Sequence, residues 1–281
     1  LKTIVGFDGT ANHDAELDRI ALSKSVRFQA VETGRDDVAL LGFTSGTTGE
    51  PKATMHFHRD LLIIADGYAK EVLKVTPEDI FVGSPPLAFT FGLGGLAVFP
   101  LRFGAAAALL EQATPANMIE IIQTLKATVC FTAPTAYRVM LKAMSEGADL
   151  SSLRAAVSAG ETLPAPVYDE WIAKTGKPML DGIGATEMLH IFLSNRPGAV
   201  RYGTTGQAVP GYDLRIVGDD GRECGVGEIG ELQISGPSAA LMYWNNRAKT
   251  KATFCGEWTR SGDKYTRDAD GYYTYCGRSD D

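Results

Sequence analysis

Nine consecutive residues, Thr44-Ser45-Gly46-Thr47-Thr48-Gly49-Glu50-Pro51-Lys52, combine four hydroxyls, two glycines and a closing lysine. Glycine and short hydroxyl side chains leave backbone N–H groups unshielded, and the lysine adds a positive charge. That chemistry suits a polyphosphate. The string is not a Walker A loop, because Gly46 and Gly49 stand too close and Pro51 precedes the lysine where that loop needs glycine. Composition alone also permits an ordinary surface loop.

The rest of the chain must position this segment. Its 281 residues are 44% hydrophobic and 22% charged, the balance of a globular protein rather than a disordered or fibrous one. With 27 Lys+Arg against 34 Asp+Glu the net charge is −7, which argues against a duplex nucleic-acid partner but not against a local phosphate site. The four cysteines, Cys130, Cys224, Cys255 and Cys276, show no C-x-x-C spacing and lie apart from the histidines, so neither a disulfide framework nor a zinc site is expected. Cys130, inside the apolar run Thr128-Val129-Cys130-Phe131, reads as a buried small hydrophobe. No apolar stretch is long enough to span a bilayer; the segment 93–110 is broken by Pro100, Arg102 and glycines. Without a signal-peptide profile, a cytoplasmic protein is expected.

From 37 to 184, short β-rich runs (38–43, 80–83, 105–110, 129–132, 155–158, 178–182) alternate with helical patterns (61–74, 115–126, 134–144, 165–174). Thr114 reads as a helix N-cap with Pro115 at the first helical position. Repeated βα units predict a mostly parallel sheet with flanking helices, whose ligands bind at the carboxyl ends of the strands. After about 202 the texture changes to short strands at 213–217, 228–234, 258–260 and 272–275, separated by Gly/Asp turns, with one helix near 246–253. This predicts an antiparallel β module, a small β-barrel or a sandwich. The expected division is an α/β subdomain over 1–203 and the β module over 204–281.

The phosphate loop resembles that of the adenylate-forming superfamily of acyl-CoA synthetases and adenylation domains, apart from Ala53, where glycine is usual. Further motifs resemble that superfamily in order. They are Pro86-Leu87-Ala88-Phe89-Thr90-Phe91-Gly92, Ser158-Ala159-Gly160-Glu161-Thr162-Leu163-Pro164, Asp181-Gly182-Ile183-Gly184-Ala185-Thr186-Glu187, Ser261-Gly262-Asp263 and Gly277-Arg278-Ser279-Asp280. The wording around 181–192 and 258–265 is similar to benzoate-CoA and 2-aminobenzoate-CoA ligases.

The resemblance implies an ATP-dependent aromatic carboxylate–CoA ligase that makes an acyl-adenylate and then a thioester. ATP, Mg²⁺, coenzyme A and a small aromatic acid would be its partners, with no nucleic acid and no membrane; the oligomeric state, a homo-oligomer included, stays open. Lys52, Thr186 and Glu187 would be catalytic, with Glu187 holding Mg²⁺. The ATP would lie against Thr44, Ser45, Gly46, Thr47, Thr48, Gly49 and Lys52. Gly160, Glu161, Thr162, Asp181, Gly182, Ile183, Thr186, Asp263 and Arg278 would complete that site. Ile183 stands where the superfamily commonly has a ring-stacking Tyr, a substitution the benzoate-type branch shares. The acid would sit among Phe89, Thr90, Phe91, Ala159, Gly184, His190 and Ile191. Benzoate ligases tend to have Ala-Tyr at Thr90-Phe91, and the Thr90 hydroxyl would meet an ortho amino group. Taken singly, several of these residues have plainer readings: Glu187 a helix-start carboxylate, Asp263 an Asx turn, Arg278 solvated surface, His190 a structural histidine.

Asp280 would be the hinge to a C-terminal lid whose lysine contacts the substrate carboxylate. The expectation is therefore a slice of a longer chain, nearly inactive alone. Two other readings stay open: an adenylating ligase for another acid or a carrier-protein thiol, and a catalytically incompetent ATP-binding fragment.

Overall fold

The computed structural model describes residues 5–6, 14–44 and 51–279. The chain divides into two compact units, 1–34 and 35–281. In the first, β1 (Val5–Gly6) pairs in parallel with β2 (Ala15–Glu16), which leads into the short helix α1 (Leu17–Leu22).

The second unit opens with an antiparallel hairpin, β3 (Val38–Thr44) and β4 (Lys52–Phe57). The strand expected at 38–43 is present, but it pairs with β4 instead of joining the parallel sheet. The reason is local: β4 runs back along β3 and pairs with it from Val38 to Thr44. Helix α2 (His58–Ile64) follows and passes into a π-helical segment, Ala65–Val72, so the single α-helix expected over 61–74 is split.

Strand β5 (Ile80–Gly83) leads to α3 (Thr90–Leu93), a second π-helical segment (Gly94–Val98) and α4 (Phe99–Phe103). Then come β6 (Ala106–Ala108), α5 (Pro115–Leu125), β7 (Val129–Thr132), α6 (Pro134–Ser145), β8 (Ala155–Ser158), α7 (Ala165–Thr175) and β9 (Met179–Gly184). Strands β10 (Ile191–Ser194) and β11 (Gln207–Ala208) complete a seven-stranded sheet in the order β11-β10-β9-β8-β7-β5-β6. Strands β5 to β9 are parallel neighbours, whereas β10 and β11 run antiparallel at one edge. Thr114 caps α5 by accepting the Asn117 N–H at 3.2 Å.

Alternation along the central strands deals side chains to two faces. Phe81, Val129, Phe131, Val157 and Leu180 pack with Tyr68, Phe99 and the π-helical side. Val82, Cys130, Ala156 and Met179 pack with Met118, Ile122, Tyr137 and Trp171 on α5, α6 and α7. Both faces are covered, which is why these strands read as continuous apolar runs. Cys130 is fully buried, and burial pushes its thiol up to about 12, with the Tyr137 hydroxyl opposing.

The antiparallel module is a five-stranded sheet: β12 (Asp213–Val217), β13 (Gly230–Ser235), β14 (Phe254–Cys255), β15 (Trp258–Arg267) and β16 (Tyr273–Arg278). Helix α8 (Arg247–Thr253) precedes β14, its Asn246 side chain accepting the Lys249 N–H at 3.1 Å. Among the described residues no helix is long and apolar enough to cross a membrane.

Candidate functional site

The turn between β9 and β10 carries Thr186 and Glu187. It is a 3₁₀ turn (Thr186–Met188) followed by Leu189, fully buried with φ 68° and ψ −29°. A non-glycine residue held left-handed inside a core is strained and persists only where its surroundings fix it. Four bonds do so. The Thr186 carbonyl accepts from His56 Nε2 at 2.7 Å, and the Glu187 carbonyl accepts from Ala240 N–H at 2.8 Å. The Ser238 hydroxyl donates to the Met188 carbonyl at 2.7 Å, and Tyr243 donates its phenolic hydrogen to Glu187 Oε1. Burial and the adjacent Glu187 carboxylate raise the Tyr243 pKa well above its ordinary value, so this phenol stays a donor. Gly184 makes the turn feasible: a Cβ there would stand 2.7 Å from the His190 carbonyl oxygen.

Thr44 and Lys52 close the hairpin as a cross-strand pair. Ser45, Gly46, Thr47, Thr48 and Gly49 lie outside the described residues, as does Asp280. Lys52 Nζ stands 5.5 Å from the centre of the Tyr243 ring, whose hydroxyl meets Glu187. Two of the three residues expected to be catalytic, Lys52 and Glu187, therefore both approach a tyrosine that no motif named, and Thr186 is the chain neighbour of Glu187.

At the carboxyl ends of β8 and β9 opens a cleft of about 460 Å³. Gly160, Glu161 and Thr162 line it after β8, and Asp181, Gly182, Ile183 and Gly184 line it along β9. Asp263 and Arg278 close it from the second sheet, with Arg278 Nη1 3.1 Å from Asp263 Oδ1. Motifs as far apart as 160 and 278 thus line one cleft, where an open α/β sheet takes its ligands.

Asp181 is the electrostatic oddity. Burial pushes its carboxyl up to about 7. Its Oδ1 and Ser158 Oγ have no hydrogen-bond partner among the described residues. An orphaned buried acceptor in a cleft wall costs free energy until a donor arrives. Tyr168 and Tyr202, stacked at 4.7 Å, also line this cleft; sequence reasoning missed both, because the two rings sit on separate segments and only tertiary packing pairs them.

Of the residues expected to hold the acid, Phe91 and His190 meet directly. Their rings lie 5.8 Å apart, and His190 Nε2 is 3.3 Å from the Phe91 carbonyl. Ala159 and Ile191 are buried in the same apolar cluster, and Gly184 abuts the His190 backbone. Thr90 and Thr186 both approach Gly42, where an added Cβ would lie 3.8 and 3.0 Å from their methyl groups. Phe89 is exposed at 59% and stands outside this cluster. His190 is enclosed by Tyr68, Phe91, Phe99 and Phe131. Burial drives its pKa down to about 3, so the imidazole is neutral and offers a hydrogen bond rather than a charge; its Nδ1 has no partner among the described residues.

Among the described residues no cluster of three or more His, Cys, Asp or Glu side chains could hold a metal by itself. A lone carboxylate is nevertheless the donor set by which Mg²⁺ is commonly held when phosphate oxygens supply the other ligands, so Glu187 fits that ion.

A mostly parallel α/β sheet and an antiparallel module thus line one cleft at the carboxyl ends of β8 and β9, the place where such sheets take ligands. The family model described as AMP-binding enzyme matches residues 2–244, and the chain belongs to that family. It is 48% identical over 278 residues to the benzoate–CoA ligase of Thauera aromatica, covering 97% of this chain and 52% of that protein. Among solved structures, the anthranilate CoA ligase AuaEII in complex with anthranoyl-AMP superposes with a TM-score of 0.95 at 40% identity, covering 100% of this chain and 55% of the other. A benzoate CoA ligase from Burkholderia xenovorans LB400 gives 0.86 at 42% identity, covering 95% and 54%. The chain spans about half the length of these relatives.

Proposed function

We propose that this chain is the nucleotide- and acid-binding portion of an ATP-dependent aromatic carboxylate–CoA ligase of the benzoate or 2-aminobenzoate type, acting in the cytoplasm. The observation that carries the reading is the cleft itself. It gathers the residues at 160–162, 181–184, 263 and 278 around one space, and its Gly184 abuts the backbone of His190, whose ring sits in an aromatic cluster.

In the first step a carboxylate oxygen attacks the α-phosphorus of ATP, the bond to the β-phosphate oxygen breaks, and pyrophosphate leaves with that electron pair. In the second a CoA thiol sulfur attacks the acyl carbon and AMP departs with the adenylate oxygen, the thiol proton passing to solvent. The acid is already a competent nucleophile, so positioning and charge stabilisation carry the rate.

Thr44, Lys52 and the segment 45–49 take the β- and γ-phosphates. The Thr186 hydroxyl donates to the α-phosphate, whose charge rises as the oxygen attacks. Mg²⁺, when bound, neutralises phosphate charge, and Glu187 is the residue that would hold it. Asp263 accepts the ribose hydroxyls, and Arg278 anchors Asp263 while reaching towards ribose or phosphate. The Asp181 carboxyl, orphaned in the cleft wall, accepts a base amino group beside the Gly182-Ile183 backbone. Ile183 packs on the base without ring stacking. Phe91, Ile191, Ala159 and Gly184 make a flat apolar slot, and neutral His190 offers its hydrogen-bonding capacity to the acid.

The test is CoA-dependent AMP release by the full-length gene product across a panel of acids. Benzoate and 2-aminobenzoate should exceed acetate, malonate and fatty acids in kcat/KM by at least about tenfold, the worth of burying a few ring carbons. A short-chain or fatty acid as the best substrate would overturn the aromatic assignment.

A further inference from the structure

His56 lies in β4, four residues beyond Lys52, and belongs to no residue set assigned above. Side chains alternate along a strand, so Lys52, Thr54 and His56 share one face. Thr54 and His56 are completely buried. The Thr54 hydroxyl donates to the Gly42 carbonyl at 3.0 Å across the hairpin. The His56 ring spans two partners: Nε2 is 2.7 Å from the Thr186 carbonyl, and Nδ1 is 3.3 Å from Asp60 Oδ2.

A carbonyl only accepts, so Nε2 must carry a hydrogen. Asp60 holds the opposite side of the ring. Its Oδ2 also accepts the Phe57 N–H at 2.9 Å, which ties it to the start of α2 and leaves it 1% exposed. A carboxylate fixing a histidine whose other nitrogen grips a working element is the arrangement by which second-shell groups hold ligands in place.

The far edge of β4 reaches the same turn. Residues 241–244 run antiparallel along it, with Met55 N–H bonded to the Met242 carbonyl at 3.0 Å and Trp244 N–H to the Ala53 carbonyl at 2.7 Å. This register puts Tyr243 opposite Thr54, and Tyr243 is the donor to Glu187. Thr186 and Glu187 are therefore each tied to β4, one through His56 and the other through Tyr243. The strand whose first residue is Lys52 sets the frame for both.

We propose that His56, oriented by Asp60, is a positioning residue that locks the Thr186–Glu187 turn to the phosphate-loop hairpin, so that α-phosphate donor, metal carboxylate and Lys52 hold one geometry during adenylate formation. The inference rests on the assignment of ATP to this cleft and does not depend on which acid is activated.

The test compares His56→Leu, His56→Gln and Asp60→Asn in the full-length gene product. Gln places an amide N–H near the position of Nε2 and can still donate to the Thr186 carbonyl; Leu fills similar space and cannot. His56→Leu should lower kcat for aryl-adenylate formation by about 10- to 100-fold, the usual cost of losing an outer-shell partner, with the KM for the acid unchanged. His56→Gln should recover most of that loss, and Asp60→Asn should fall between.

Calorimetric titration with ATP, with and without Mg²⁺, gives a readout free of turnover. His56→Leu should lose most of the gain in ATP affinity that Mg²⁺ confers, and His56→Gln should keep it. Equal loss in the Leu and Gln variants, tracking a fall in Tm and a rise in both KM values, would mean that His56 only fills the core, and the proposal fails. A wild type that activates a different acid overturns the aromatic assignment alone, and the same comparison is then read with that acid. A wild type that binds no ATP overturns both.

Discussion

Asp263 and Arg278 face each other directly across the β15–β16 ladder, and their side chains join with Nη1 3.1 Å from Oδ1. Gly262 makes this approach feasible: with φ 75°, a Cβ there would strain the backbone and stand 3.2 Å from Arg278 Nη2. The pair is partly open to solvent, so its worth to stability is small and its worth to binding is orientation.

Asp263→Ala should therefore raise the KM for ATP by about 10- to 100-fold, the cost of losing charge-assisted bonds to two ribose hydroxyls. The KM for the acid should hardly change. Arg278→Ala should have a smaller effect, and the double variant should cost less than the sum, since the residues touch. Steady-state kinetics on the four proteins decides this; strict additivity would mean that the contact does not orient Asp263.

Asp181 predicts a pH dependence of stability. Its folded-state pKa of about 7 lies above the ordinary carboxylate value, so the folded state binds this proton more tightly than the unfolded one. Its favourable contribution is full below about pH 4 and is lost as pH rises through 7. Asp181→Asn should leave stability near pH 4 little changed and raise it at pH 8 by about 2–4 kcal/mol, following the size of the shift. Urea melts at both values test the sign, and greater stabilisation at pH 4 would contradict it.

Tyr243→Phe keeps the ring beside Lys52 and removes the hydrogen bond to Glu187. The apparent KM for Mg²⁺ should rise by about tenfold at saturating acid, as expected when a metal-holding carboxylate loses its orienting partner. A magnesium titration of ATP-dependent turnover measures it. An unchanged curve would show that the phenol does not set the Glu187 rotamer.

Thr90 tests the acid pocket. Its methyl approaches Gly42 beside that of Thr186, while its neighbour Phe91 contacts His190. If the hydroxyl meets an ortho amino group, Thr90→Ala should lower kcat/KM for 2-aminobenzoate by roughly 5- to 30-fold, about 1–2 kcal/mol for one hydrogen bond. Benzoate should be little affected. Equal losses on both acids would remove Thr90 from specificity.

The sequence made legible what is local or strictly periodic. Thr114-Pro115 announced α5 by capping chemistry, and the apolar runs at 129–132 and 155–158 announced strands buried on both faces. The motif residues 160–162, 181–184 and 278 lie at or just beyond the carboxyl ends of β8, β9 and β16, which short-range patterns can mark, and the ladder partner of 278 brings in 263. Pairing across distance was not legible. Nothing near 38–57 distinguishes a separate hairpin from the first strand of a parallel sheet, because both begin with the same apolar run. Tyr243 and His56 escaped notice for a related reason: their partners lie 56 and 130 positions away, and only the register of β4 brings them together.

Both π-helical segments abut His190, one through Tyr68, the other through Gly94 and then Phe99 at its end. A π turn holds roughly one residue more than the α turn it replaces. Deleting a single residue from 65–72 or 94–98 would let the wide turn revert to α, withdrawing the residue it carries while the flanking turns keep their registration. Point substitutions around His190 trim this packing, whereas a one-residue deletion removes one side of it outright. A one-residue change of length in either stretch would thus be a coarse adjustment of the surroundings of His190 that leaves the lining of the cleft at the ends of β8 and β9 in place.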